Sequence, residues 1–176
     1  MQGEETFHPD TRALLTYGRA LAGAQSPPKR GRADQVLERL FVIERMAEGR
    51  LPIRTFGRDL IDLFGADLRE HDFTRFFLAP DLELLRALIR ACEAAGEPGI
   101  MRITAEMGDG SRLGAELLIT PLKVDSHLGY RFLCMFQALG GQAFTHGQMI
   151  QRLRVGSLHP PAAKAPAKLR LAVVND

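Results

Sequence analysis

Arg86 and Arg90, four residues apart, and the segment Asp109-Gly110-Ser111-Arg112-Leu113-Gly114, which starts nineteen residues later, are the motifs here best suited to grip a ligand. Guanidinium groups hold phosphates through paired N–H donors, and a tight Asp-Gly turn offers a rim to a base edge. Other chemistry is sparse. No GxSxG nucleophile, P-loop or HExxH metal motif occurs, and the carboxylates are spread out rather than paired, so there is no positive case for an enzyme. Cys92 and Cys134 form no CxxC and have no histidine at ligand spacing. They read as reduced, half-buried thiols, with no disulfide framework and no metal site. His71 is the one histidine in the helical region, and its Arg-Glu-His-Asp setting suits a solvated or capping ring rather than a haem ligand. His8, His127, His146 and His159 fall in turns or tails.

The elements that must carry these residues weaken the ligand motif. Arg86 and Arg90 lie in the clearest helix, Pro80 to Ala95, with Leu82, Leu85, Leu88, Ile89 and Cys92 on one face and Gly96 at its end. Arginines four apart on a helix simply share a face. Asp109-Gly110 is a hairpin turn between Gly99–Met107 and Arg112–Val124, both of which alternate apolar and polar residues. A third strand, Tyr130 to Leu139, places Phe132, Cys134, Phe136 and Ala138 on one face. Upstream, Val36–Arg45 and Arg50–Phe56 read as strands, Gly57–Gly65 as a short helix closed by glycine, and His71–Phe77 as another helical piece. Near the start, Leu14, Tyr17, Gly18 and Leu21 form an amphipathic stripe in a helix from His8 to Gly23. The segment SPPKRGR then breaks the chain.

Two strands, a run of helices and a three-strand meander exclude a doubly wound parallel sheet and favour an antiparallel sheet with helices on one face. In that order the chain resembles the PAS domain superfamily, through Phe64-Gly65 and through the Asp109-Gly110 turn before Thr120-Pro121-Leu122. More narrowly it is similar to a PAS-like family of alphaproteobacteria formerly classed as a domain of unknown function. His8-Pro9, Arg30, Arg32, Leu40-Phe41-Val42-Ile43-Glu44, Arg54-Thr55-Phe56-Gly57, Phe64-Gly65-Ala66-Asp67-Leu68-Arg69 and Leu169-Arg170-Leu171-Ala172-Val173-Val174 carry that likeness. The resemblance implies an α+β fold, a PAS-like five-stranded antiparallel sheet with short helices on one face and an N-terminal amphipathic helix before it. It also implies a ligand space between sheet and helices. Phe56, Leu60, Phe64, Phe73, Phe76, Phe77, Met101, Ile103, Leu117, Phe132 and Phe136 would line or fill that space, with Arg54 and Arg131 as polar anchors if they point inward. The Arg86, Arg90 and Asp109 set is similar to the cyclic-di-GMP signature of PilZ domains. It supplies the alternative reading, a receptor for a nucleotide second messenger such as cyclic-di-GMP.

The chain has 176 residues, 45% of them hydrophobic, enough for one domain with a self-sufficient core. No apolar run reaches the length of a membrane span and the first residues lack a signal-peptide stretch, so membrane insertion is not expected and a cytoplasmic place is. Residues 1–32 hold five bases against three acids and residues 145–176 five against one, leaving the middle acidic within a net charge of +2. An acidic body without tryptophan argues against nucleic acid. The expected organisation is residues 1–32 as helix and linker, 33–141 as the PAS-like domain and 142–176 as a flexible basic tail, in which LRLAVVND would add to a sheet edge or serve a partner. The expected activity is that of a stand-alone sensory or regulatory module, with no cofactor assigned and an unknown small molecule allowed for. It would signal through a protein partner and form a homodimer through Leu14, Tyr17 and Leu21.

Overall fold

The computed structural model describes residues 6–22, 36–122, 130–140 and 149–162. The LRLAVVND segment lies outside them. Helix α1 spans Pro9–Ala22; a 3-10 turn at Leu37–Arg39 leads into β1 (Leu40–Arg45), then come β2 (Ile53–Phe56), α2 (Arg58–Phe64), a 3-10 turn at Phe73–Phe76 and α3 (Asp81–Ala95). Strands β3 (Gly99–Met107), β4 (Arg112–Leu122), β5 (Tyr130–Ala138) and β6 (Ile150–His159) complete the chain. The six strands form one antiparallel sheet in the order β2-β1-β5-β4-β3-β6.

This is the α+β, PAS-like architecture expected, with one correction: the sheet has six strands, not five. The extra strand, β6, comes from residues assigned to the tail. Its inward residues Ile150, Leu153, Val155 and Leu158 depart from a period of two because its pairing with β3 shifts register at Arg102/Ile103 and at Glu106/Met107. A bulge inserts a residue into one strand only and so breaks the alternation that marks a strand in sequence.

Both faces of the sheet are covered. On the inner face, α2, α3 and the Phe73–Phe76 turn bury Leu60, Leu63, Phe64, Leu85, Leu88, Ile89 and Cys92 against Met101, Ile103, Leu117, Phe132 and Phe136. On the outer face, Phe7, Leu15 and Val36 pack on Ile100, Leu118 and Met135. The line of α1 that meets the sheet is Thr11, Leu15 and Gly18, all buried, one step round from the predicted stripe. Gly18 belongs to both, because a Cβ there would stand 3.0 Å from the Thr120 side chain of β4. Leu14 and Tyr17 are half-buried, and the side chain of Leu21 lies outside the described residues.

Asp72 sets up the turn that covers the inner face. One of its carboxylate oxygens accepts from the amides of both Thr74 and Leu51, at 3.0 Å each. Burial pushes this carboxyl up, but those backbone donors outweigh it and hold it below its ordinary value.

Candidate functional site

The predicted cavity residues do come together, as a packed interior. Phe56 from β2, Phe64 from α2, Phe73, Phe76 and Phe77 from the turn after it, and Phe136 from β5 form a chain of aromatic contacts that also takes in Phe41. Ring centroids are 5.0 Å apart for Phe64–Phe76 and 5.7 Å for Phe64–Phe136, van der Waals spacing with mostly edge-on geometry. Leu60, Met101, Ile103, Leu117 and Phe132 close the same cluster. These side chains fill the space between sheet and helices with one another.

Arg54 and Arg131 do not reach this interior. Phe132 of β5 and Ile53 of β2 point into the core, so their neighbours point to the outer face. There Arg54 donates to Glu44 at 2.7 Å and to Glu70, and Arg131 stands 3.3 Å from the same Glu44 carboxylate. The result is a clamp across β2, β1 and β5. The hydrogen bond from Arg54, with the charges of Arg54 and Arg131, holds the Glu44 carboxyl below its ordinary range.

A cleft does open where β1 runs out. The first β1 residue, Leu40, pairs with Met135, so among the described residues no strand lies beside Phe136–Ala138 of β5 on that side. The gap is a cleft of about 430 Å³ with Leu60, Leu63, Phe136 and Ala138 as its apolar floor, Arg39 and Gln137 as a polar wall, and Asp59 and Asp62 of α2 at its mouth. Leu60 and Phe136 are two of the predicted cavity residues. The Leu139 amide donates to Gly114 of β4. By the alternation of strand groups, the N–H and C=O of Ala138 therefore turn the other way, toward the cleft. Its carbonyl accepts from Gln137 Nε2 at 2.9 Å.

Arg39 is the hinge pin of this region and was not picked out from the sequence. Its guanidinium donates to Gln137 Oε1 from one nitrogen and to Asp10 Oδ2, at 3.0 Å, from another. The contact ties the first turn of α1 to the cleft wall. Gln137 carried a signal that could have flagged it: it is the one polar uncharged side chain in the apolar run Phe132–Leu139. A second clasp holds the entry to α1. Glu116, 1% exposed, accepts from the His8 amide at 3.0 Å and lies 3.8 Å from Arg102, whose guanidinium stacks over Phe7 and donates to the Thr6 carbonyl at 2.7 Å.

The residues of the nucleotide alternative are kept apart. Arg86 pairs with Glu83 at 2.7 Å and its guanidinium reaches Gly49, in the turn after β1, while Asp109 caps Ser111 at 2.8 Å in the turn after β3. In an antiparallel sheet of this register those turns lie at opposite ends, on the order of 30 Å apart. They cannot share one ligand.

Cys92 and Cys134 are fully buried rather than half-buried. Burial pushes the Cys92 thiol up to about 12, and Cys134 likewise well above its ordinary value, so neither is a nucleophile. His71 is exposed, its Nδ1 3.1 Å from the Arg69 carbonyl oxygen. Among the described residues, no three His, Cys, Asp or Glu side chains are grouped to hold a metal ion, and no helix is long and apolar enough to cross a membrane.

The model of a protein family described as PAS domain matches residues 6–137. No curated protein matched the chain. Among solved structures, the chain is similar to a light-oxygen-voltage domain studied with a flavin analogue, at 22% identity over 62% of this chain and 83% of that one, with a TM-score of 0.44. It is also similar to the LOV domain of the blue-light photoreceptor Aureochrome1 in its dark state, at 15% identity over 68% and 90%, TM-score 0.46. A third likeness is to the PAS domain of an HTR-like protein from Haloarcula marismortui, at 18% identity over 61% and 89%, TM-score 0.45.

Proposed function

Since the chain belongs to the PAS domain family, we propose that it is a sensory and signalling module whose output is contact with another protein, starting with a second copy of itself. The observation that carries this reading is the placement of α1. The helix lies on the outer sheet face through Thr11, Leu15 and Gly18, and keeps Leu14 and Tyr17 half-buried beside that contact. An amphipathic helix whose second flank stays half open is suited to meet the same helix of a partner. Beside the apolar contact of Leu15 with the sheet, polar contacts from Asp10 to Arg39 and from Glu116 to the His8 amide hold its first turn, and a change at these groups would shift its docking.

Native mass spectrometry of the full chain, purified without denaturation, tests the reading. The expected result is a dimer that becomes a monomer in the Leu14→Glu/Tyr17→Glu double variant, with circular dichroism showing that the variant stays folded. A monomeric wild type, or a double variant that stays dimeric, overturns the role of α1. A small molecule retained at one per chain would identify the signal.

A further inference from the structure

We propose that the cleft beside Phe136–Ala138 is a binding site for a small monocarboxylic acid with an apolar body, and that its carboxylate takes the place of Asp10 on Arg39. Each part of the cleft argues for one part of this ligand.

The Arg39 side chain is only 17% exposed and already holds a carboxylate, that of Asp10, at 3.0 Å. Its planar fork of donors matches a carboxylate or a phosphate, and the rest of the cleft chooses between them. The Ala138 N–H, turned toward the cleft by the end of β1, supplies a second donor beside it. The floor of Leu60, Leu63 and Phe136 has no polar side-chain atom and asks for an aliphatic or aromatic tail. Asp59 and Asp62, three residues apart on α2, stand at the mouth and repel polyanions. That disfavours nucleotides and polyphosphates more strongly than a singly charged acid.

Asp10 sits in the first turn of α1, so ligand and helix compete for one guanidinium. Occupancy of the cleft loosens the N-terminal turn of α1, and by linkage a tightly docked α1 weakens binding by the same factor. The site itself is independent of the signalling role proposed above. Only the consequence for α1 rests on that role.

The test is a titration of the full chain followed by amide NMR, with octanoate as the probe and 1-octanol and adenosine monophosphate as controls. Octanoate is expected to saturate and to shift the amides of Leu60, Leu63 and Phe136–Ala138, together with those of Asp10 and Thr11. 1-Octanol is expected to bind at least tenfold more weakly, the worth of a charge-assisted hydrogen bond to the guanidinium, and adenosine monophosphate at least tenfold more weakly because its greater negative charge meets Asp59 and Asp62. Asp10→Asn removes the internal competitor and is expected to tighten octanoate binding about tenfold on the same grounds. A purely structural role for Asp10 would not produce that gain. Arg39→Gln is expected to abolish binding, and circular dichroism shows whether it folds. If it does not, the Asp10→Asn result decides alone. Absence of saturable shifts, equal binding of octanol, or weaker binding to Asp10→Asn overturns the site. Octanoate binding that leaves the dimer mass unchanged overturns its coupling to the signalling reading and leaves the site standing.

Discussion

Glu44 is a residue on the outer face whose ionisation bears on stability. It is 13% exposed at the side chain and carries two arginines, Arg54 and Arg131, from the strands on either side. Its carboxyl is held below the ordinary 4.5 by the Arg54 hydrogen bond first and the two charges after it. A lowered folded pKa contributes stability that is complete above the unfolded value and is lost as pH falls through the folded one. Glu44→Gln is therefore expected to cost about 1 kcal/mol near pH 7, with the gap from wild type closing below pH ~4.5. Urea unfolding at pH 7 and at pH 3 checks this, and a gap unchanged by pH would refute it. The same residues show where side-chain reading stops. Alternation correctly separates Arg131 from Phe132, but it names two faces without saying which meets the helices. Here both faces are apolar, with Leu118 and Met135 on one and Phe132 and Phe136 on the other. Arg54 and Arg131 could be placed only once α1 was seen to lie on the outer face.

At the level of elements, boundaries were most legible where chemistry punctuates them. Gly65 ends α2 in the left-handed region at φ 73°, and Gly96 ends α3 in the same way at φ 67°. The Asp109-Gly110 hairpin and the β3 and β4 alternation are as read. The stretch Val36–Arg45 was read as one strand, yet its first part forms the 3-10 turn that carries Arg39 to the cleft, and nothing in its apolar run marks that change. Gly57, between β2 and α2, shows a constraint that sequence does not reveal. Its φ of −70° suits any residue, yet a Cβ there would sit 2.2 Å from the Glu38 carbonyl oxygen. Backbone cannot move aside as a side chain can, so Gly57→Ala is expected to destabilise the protein by about 2 kcal/mol or more. Denaturant unfolding measures it, and a neutral substitution would show that the β2–α2 junction is looser than described.

For the whole molecule, the sheet is a middle layer rather than a wall with one wet side. Its outer apolar patch of Ile100, Leu118 and Met135 depends on α1 for cover, with Leu15 at the centre. Leu15→Ala is expected to cost about 2–3 kcal/mol and to raise binding of a hydrophobic dye, since the patch beneath it would then meet water. Loss of stability without added dye binding would mean that α1 stays in place. The edges of the sheet are guarded too. Beside β2, the segment Glu70–Phe73 takes up backbone groups of Leu51 and Ile53, and the Asp72 carboxylate takes the Leu51 amide. At the far edge, the Val155 amide in the middle of β6 donates to Asp81 at 3.2 Å, a side chain from the start of α3. A strand with a flanking segment, or a mid-strand amide already engaged, is a poorer template for another strand. In a crowded solution these contacts work against the seeding of fibrils from the native state. A partner meeting these two edges is therefore recognised more through side chains, where selection can tune affinity one residue at a time, than through backbone, which every protein shares.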